Sequence, residues 1–378
     1  MPSIVDGNKL SPVFEGPRRL DALIELIDGA EESLRLLYYI WDDDGAGRHV
    51  RDALVRAAER GVAISLLVDG FGAMFATEDF FRPIVEARGR FCRFVPRYGR
   101  RYLLRNHQKL ALADGRRALI GGFNLSSSYF DPEEEGAWRD LGLIVEGEIV
   151  AALALYFDDL MTWAEAPRVS FRSLRQLLDD HSSIKPPINW LMGGPSRRLS
   201  PWARAIKRDL TRANRLDMIM CYFAPNPAML RRIEAIARRG RARLVTPAKS
   251  DWGAAMGSAR HFHWRLIRRG VEVHEYERTR LHTKLIIADD IVYIGSANFD
   301  MRSLYLNLEM MLRIEDADFA SRMRAYFEEE LAGSRHITLE MHKARRTWLN
   351  RIRWGFHYFV LAVVDYGFAR RLNFGRGR

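Results

Sequence analysis

The chain contains one unit twice. Residues 107–115 read HQKLALADG and residues 282–290 read HTKLIIADD, so His107, Lys109 and Asp114 repeat the spacing of His282, Lys284 and Asp289. Each copy continues through a turn into a second apolar strand and a small-residue loop that ends in Asn: ALIGGFN closes on Asn124, IVYIGSAN on Asn298. The likeness runs backward as well. AAERGVAISLLVDG carries Gly61, 46 positions before His107, and AIARRGRARLVTPA carries Gly240, 42 positions before His282. Further upstream, Tyr38 and Tyr39 are matched with Tyr222 and Phe223, each pair ending an apolar strand ahead of a polar loop and a helix. Strands alternating with helices in a repeated unit predict two related βαβ-type halves, each an α/β layer structure with a mixed or mainly parallel sheet.

Side chains alternate across a strand, so the His and Lys of each motif point the same way. A single such pair would be an ordinary solvated strand end. Two pairs in related domains can meet at a pseudo-two-fold interface, where His107, His282, Lys109, Lys284, Asn124 and Asn298 would surround one pocket. Two ammonium groups, two amides and two imidazoles suit a phosphodiester. The lysines and amides neutralise non-bridging oxygens as charge builds, one imidazole can attack phosphorus, and the other can move the proton of the alcohol. Only seven residues of the chain are Lys, against a large excess of Arg, yet two of them fall in the motifs, which suits a compact ammonium rather than a planar fork. Asp140 and Glu309, 33 and 27 residues past the respective histidines, are candidates to orient the imidazoles. Asp114 and Asp289 complete the motifs and are counted with the catalytic residues, although each sits at a turn, where Asp is common for local hydrogen-bonding reasons, which favours a structural part, capping or pairing near the site.

Punctuation divides the 378 residues into a first domain (1–167), a polar, Pro-containing connection (168–186), a second domain (187–335) and a tail (336–378). The two cysteines, Cys92 and Cys221, stand at no metal-ligand spacing, so neither a disulfide framework nor a metal site is expected. The start, MPSIVDGNKL, lacks the pattern of a secretory signal. The net charge of +11 is uneven: residues 341–378 hold nine Lys or Arg against Asp365 alone. Among these charges lies WGFHYFVLAVVDYGFA, shorter than the roughly 20 uninterrupted apolar residues of a spanning helix. It reads as a segment for an anionic membrane interface; the alternative is a helix docked on the core. WDDDGAG, Asp42 to Asp44, reads as a helix cap rather than a cation site, His261 and His263 as residues on different faces of one helix, and DPEEEG as a solvated loop. FGAMFATEDFF, residues 71–81, divides evenly between core and lipid contact.

RNHQKLALADGRRALIGGFN, WRDLGLIVEGEIV and GSANFDMRSLYLNLEMML together resemble the phospholipase D superfamily, whose signature is His-x-Lys-x4-Asp followed by Gly-x-x-Asn, and within it the bacterial cardiolipin synthases of the short form without N-terminal spanning helices. The first hairpin is one residue longer than the second. The resemblance implies two phospholipase D-like α-β-α sandwich domains related by pseudo-two-fold symmetry, with one active site at their interface. It implies a phosphatidyl transfer that joins two phosphatidylglycerol molecules (or a related phospholipid pair) through a phosphohistidine, releasing glycerol, with His107 as nucleophile and His282 as general acid and base. No cofactor or metal is implied. The expected partners are phospholipids and the anionic surface of the cytoplasmic face of the bacterial inner membrane, with no nucleic acid. The alternatives are hydrolysis of phospholipids and, further off, a phosphodiesterase or nuclease of the same superfamily.

Overall fold

A computed structural model of the chain describes residues 2–95, 104–182, 185–196, 199–250 and 253–360. Two eight-stranded sheets form its framework. In the first, the spatial order is Ser3–Val5, Asn8–Val13, Gly142–Glu146, Arg117–Gly121, Leu110–Ala113, Ser33–Tyr38, Ala63–Asp69 and Arg90–Phe94. In the second it is Ile188–Gly193, Glu309–Glu315, Ile291–Gly295, Lys284–Ala288, Arg215–Met220, Arg241–Pro247, Glu272–Tyr276 and Ser334–His336. Six strands therefore run in the same order in both halves, with the motif hairpin antiparallel beside three parallel strands.

The motif strands are continuous apolar runs because helices cover both faces of each sheet. Every residue of Lys284–Ala288 and of Leu110–Ala113 is buried. Each lobe has its own core on one face. On the other, Ile149–Glu165 and Ala317–Ala332 share a core that crosses the lobe boundary, joining Tyr156, Phe157 and Met161 with Phe319, Met323 and Phe327. The connection between the lobes includes the helix Phe171–Asp180, closed by a Ser170/Ser173 capping box and buried through Leu174 and Leu178.

Pairing register corrects one sequence match. Leu37 lies opposite Leu110 and Ile219 opposite Leu285, which makes Tyr39 the structural counterpart of Cys221, while Trp41 and Phe223 hold the equivalent bridges to Leu125 and Phe299. The matched tyrosines are thus offset along the chain. The loop Asp42–Asp44 is a cap: the Asp44 side chain accepts from the Gly47 N–H at the start of Gly45–Glu59. In the segment 71–81, Phe80 and Phe81 belong to the core, whereas Phe71, Met74 and Phe75 are exposed. Of the tail, the described part forms Leu339–Arg345 and Trp348–Tyr358, the latter docked on Gly253–Arg268 through Tyr358, which meets His261 and Phe262; residues 361–378 of the tail lie outside the described residues. Among the described residues no helix is long and apolar enough to cross a membrane.

Candidate active site

The two motif histidines open their strands at the boundary between the lobes, and short pieces of parallel pairing hold them there. Arg280–Leu281 pairs with Trp138–Arg139 of the other lobe, and the His282 N–H donates to the Arg139 carbonyl at 2.7 Å. In the equivalent arrangement, Asn106 bridges Leu308, and the His107 N–H donates to the Leu308 carbonyl at 2.9 Å. Each contact brings the residue after it into reach of the opposite imidazole. His282 Nδ1 lies 2.6 Å from Asp140 Oδ2, and His107 Nδ1 lies 3.1 Å from Glu309 Oε2. The carboxylates are exchanged between lobes. A carboxylate can only accept, so each Nδ1 carries the proton and each Nε2 keeps its lone pair.

Both lysines fold back onto the strand start. Lys109 Nζ donates to the His107 carbonyl at 2.6 Å and stands 5.2 Å from the centre of the Tyr39 ring. Lys284 Nζ donates to the His282 carbonyl and approaches His282 Nδ1 at 2.9 Å. That nitrogen already gives its proton to Asp140, so the ammonium acts there as a neighbouring charge rather than as a donor. Burial, followed by the Lys284 charge, pushes His282 far below the usual imidazole range. Burial also lowers His107, with Glu309 opposing, and it brings Lys109 down to about 7. Lys284 adds to the lowering of both, which ties the two motifs into one electrostatic site. The carboxylates go the other way. Burial alone would raise Asp140 and Glu309, but Lys284 and His282 for one, and His107 and Lys109 for the other, outweigh it and hold both below their ordinary values.

Asn124 reaches the site through Tyr129, whose ring faces His282. Asn124 Nδ2 donates to the Tyr129 hydroxyl at 3.0 Å, whereas Asn298 is buried and its Oδ1 has no hydrogen-bond partner among the described residues. Asp114 and Asp289 are not there. The strand Leu110–Ala113 separates Lys109 from Asp114, whose carboxylate accepts the N–H groups of Glu31, Glu32 and Ser33 at 2.8–3.0 Å. Asp289 accepts likewise from Asn214 and Arg215. Both adopt a left-handed backbone, φ 55° and 49°. Their expected catalytic part is therefore corrected: each ties the far end of its hairpin to the start of the neighbouring strand.

Several site residues escape a reading by repeats because the two lobes differ there. Glu309 accepts from the Ser296 and Ser303 hydroxyls; the positions equivalent to these serines in the first lobe hold Gly122 and Tyr129. At Gly122 a Cβ would come within 2.7 and 2.8 Å of the Asp140 carboxylate oxygens and 2.9 Å of the Lys284 side chain. Aromatic rings line the imidazoles: Tyr39 faces His107 at 4.9 Å between ring centres, and Tyr129, Trp138 and Tyr222 face His282 at 5.1, 5.6 and 6.5 Å. Beneath Asp140, the buried Arg19 guanidinium donates to the carbonyls of Asp140, Tyr129 and Trp138, fixing the loop that carries the carboxylate. On the first helix Arg19 stands beside an exposed Arg18, and nothing in the repeat singles it out for this task. Among the described residues no cluster of His, Cys, Asp and Glu is gathered to hold a metal ion.

The family described as "Cardiolipin synthase, PLD-like domain" matches residues 23–161 and 206–331. The major cardiolipin synthase ClsA of Bacillus subtilis is 28% identical over 356 residues, covering 91% of this chain and 73% of that protein. A cardiolipin synthase of Listeria monocytogenes is 26% identical over 357 residues, covering 92% and 73%. Among solved structures, a phosphatidylserine synthase of Haemophilus influenzae aligns with a TM-score of 0.73 at 15% identity, covering 92% of each chain. A polyphosphate kinase of Porphyromonas gingivalis aligns with a TM-score of 0.60 at 15% identity, over 94% of this chain and 54% of that one. At these identities the structural likeness speaks for the fold alone.

Proposed function

The chain belongs to the cardiolipin synthase, PLD-like domain family, and on that footing we propose that it is a phosphatidyltransferase joining two phosphatidylglycerol molecules into cardiolipin with release of glycerol. The observation that carries this reading is the crossed pair of imidazole–carboxylate contacts, His282 with Asp140 and His107 with Glu309. Two oriented imidazoles with free Nε2 atoms, beside two buried lysines, suit displacement at a phosphodiester.

The first lipid phosphate sits between Lys109, Lys284, Asn124 and Asn298, whose ammonium and amide N–H groups donate to its oxygens. The arriving anion offsets the lysine charges that depress the imidazoles, so His282 takes up a proton. His107 Nε2 attacks phosphorus, the bond to the glycerol oxygen breaks, and His282 delivers its Nε2 proton to that oxygen. Glu309 stabilises the positive charge gained by His107. Glycerol leaves, and a hydroxyl of the second phosphatidylglycerol takes its place. His282 removes that proton while the oxygen attacks phosphorus and the P–N bond breaks, which restores both imidazoles. Over the two displacements one phosphodiester replaces another, so the chemistry asks for no energy source. We assign the protein to the cytoplasmic face of a bacterial inner membrane as a peripheral enzyme.

Incubating purified protein with phosphatidylglycerol vesicles and identifying the products by mass tests the proposal. Cardiolipin with free glycerol is expected; phosphatidic acid in its place would make the protein a hydrolase, and unchanged lipid would reject both. A radiolabelled lipid phosphate retained on wild type quenched with detergent at mildly alkaline pH, lost on acid treatment and absent from His107→Ala, tests the covalent step.

A further inference from the structure

The helix Trp348–Tyr358 has a bound side and an open side. On the bound side Trp354 is 4% exposed and packs against His342, with ring centres 5.4 Å apart. Tyr358 stacks on His261 at 5.0 Å and meets Phe262 edge-on at 4.9 Å, and His357 lies where Gly257 leaves no room for a side chain. On the open side stand Trp348, Leu349, Ile352, Phe356 and Phe359, between 49 and 68% exposed. At about 100° per residue these five positions fall within one arc of about 100°. Arg353 borders that arc on one edge and Arg351 on the other, both exposed.

At the root of the helix is a cavity of about 430 Å³ lined by His261, Arg346, Trp348, Arg351, Ile352 and Trp354. The Arg346 guanidinium stands over the Trp264 ring at 4.7 Å; burial, then the neighbouring Arg351 charge, pushes it below its ordinary value. Two guanidinium groups thus share a half-open, aromatic-walled space, and among the described residues no acid lines it.

Ring contacts tie this helix to the catalytic centre. Tyr358 touches Phe262, Phe262 meets Phe223 at 6.1 Å, and the preceding Tyr222 faces His282. The first lobe has its own apolar projection beside its imidazole: Phe71, Met74 and Phe75 are 52, 47 and 78% exposed, and Arg105, two residues before His107, lies 4.1 Å from the centre of the Phe71 ring. A second copy of the chain on the open arc would set Arg351 and Arg353 against their own kind. A bilayer with anionic headgroups offers both an apolar layer for the arc and negative charge for its borders.

We propose that Trp348–Tyr358 lies in the plane of an anionic phospholipid bilayer, with its apolar arc in the interface and a lipid phosphate seated between Arg346 and Arg351. This deepens the reading above, since it rests on substrates presented by a membrane.

The test is co-sedimentation with vesicles of equal parts phosphatidylglycerol and phosphatidylcholine, and with phosphatidylcholine alone, at low and high salt. The wild type is expected to sediment with the anionic vesicles only. Ile352→Asp combined with Phe356→Asp should lower vesicle partition at least roughly tenfold, and Arg346→Gln with Arg351→Gln should weaken it and flatten its salt dependence. Both variants alter exposed or rim side chains and should turn over monomeric short-chain phosphatidylglycerol at the wild-type rate. Variants that sediment like the wild type overturn the proposal. So does a dimer in analytical ultracentrifugation that the aspartates dissolve while vesicle binding persists. If vesicle binding behaves as expected but short-chain lipid is not transferred even by the wild type, the docking surface stands and the catalytic reading falls.

Discussion

His282 and Asp140 are 142 residues apart in the chain and belong to opposite lobes, yet Nδ1 of the histidine lies 2.6 Å from Oδ2 of the aspartate. His107 and Glu309 make the reciprocal contact across 202 residues. Each lobe therefore supplies one imidazole and the carboxylate for the other. Asp140→Asn should leave the fold intact and lower kcat about 10²–10⁴-fold, because an amide can donate to Nδ1 and strand the Nε2 proton in the wrong tautomer. Glu309→Gln should act in the same direction. Steady-state kinetics with phosphatidylglycerol check both, and an equal effect on KM alone would mean that the carboxylates only shape the pocket.

Gly122 and Ser296 are equivalent positions with opposite demands. Gly122→Ser would put a Cβ within 2.7 Å of a carboxylate oxygen of Asp140, so it should cost at least about tenfold in kcat by displacing the partner of His282. Ser296→Gly removes a hydroxyl that donates to Glu309 and should cost less, with the fold retained. Comparing the two variants by kcat and melting temperature separates a displaced carboxylate from a lost hydrogen bond.

Asp114 holds three backbone N–H groups at 2.8–3.0 Å from a left-handed position. Asp114→Ala should destabilise the protein by about 1–3 kcal/mol through the unpaired donors and the backbone strain. At temperatures where the variant is folded, its kcat should match the wild type. Urea unfolding and kinetics on the same preparation decide; a large fall in kcat with unchanged stability would return Asp114 to the chemistry.

How far the sequence reaches differs from residue to residue. The duplicated His-x-Lys strands and their place in two like sheets follow from the repeat and from the apolar runs behind it, since burial on both faces demands such runs. Asp140 and Glu309 stand out because they recur at corresponding points past their histidines. Their exchange between lobes leaves no trace in one-dimensional spacing, because it depends on how the lobes dock. Asp114 and Asp289 are misleading for a related reason: four strand residues carry them to the far end of the hairpin, so sharing a motif with His107 and His282 does not mean sharing a pocket. Arg19, Ser303 and Tyr129 are hidden because the halves diverge at those positions, and a search for repeats passes over what is not repeated.

Where the tail meets the second lobe, His263, His274 and His342 are kept neutral by burial, at about 3, 4 and 4, against a usual value near 6.5. His263 faces Glu275 and His342, Arg260 and Arg345 hold Glu275, and His274 stacks on His336 at 4.8 Å. Below pH 6.5 the unfolded chain binds these protons and the folded one does not, so stability is fully present above 6.5 and is lost as pH falls toward 4. Each imidazole held neutral one pH unit below its unfolded value costs about 1.4 kcal/mol. Melting temperature measured from pH 7.5 to 4.5 should fall progressively through this window, and His263→Leu should flatten the fall. A melting temperature that stays level down to pH 4.5 would contradict it.

The shared core around Tyr156, Phe157, Phe319 and Phe327 decides what a half of this protein would be worth alone. A fragment ending near residue 167 would carry an oily flank with nothing to cover it and an imidazole with no counter-ion. Two such fragments could cure both defects at once by pairing isologously about a dyad, Asp140 of each meeting His107 of the other. The single chain does the same with two unlike halves, and so frees one position of each pair to change without its twin, as Gly122 and Ser296 have done.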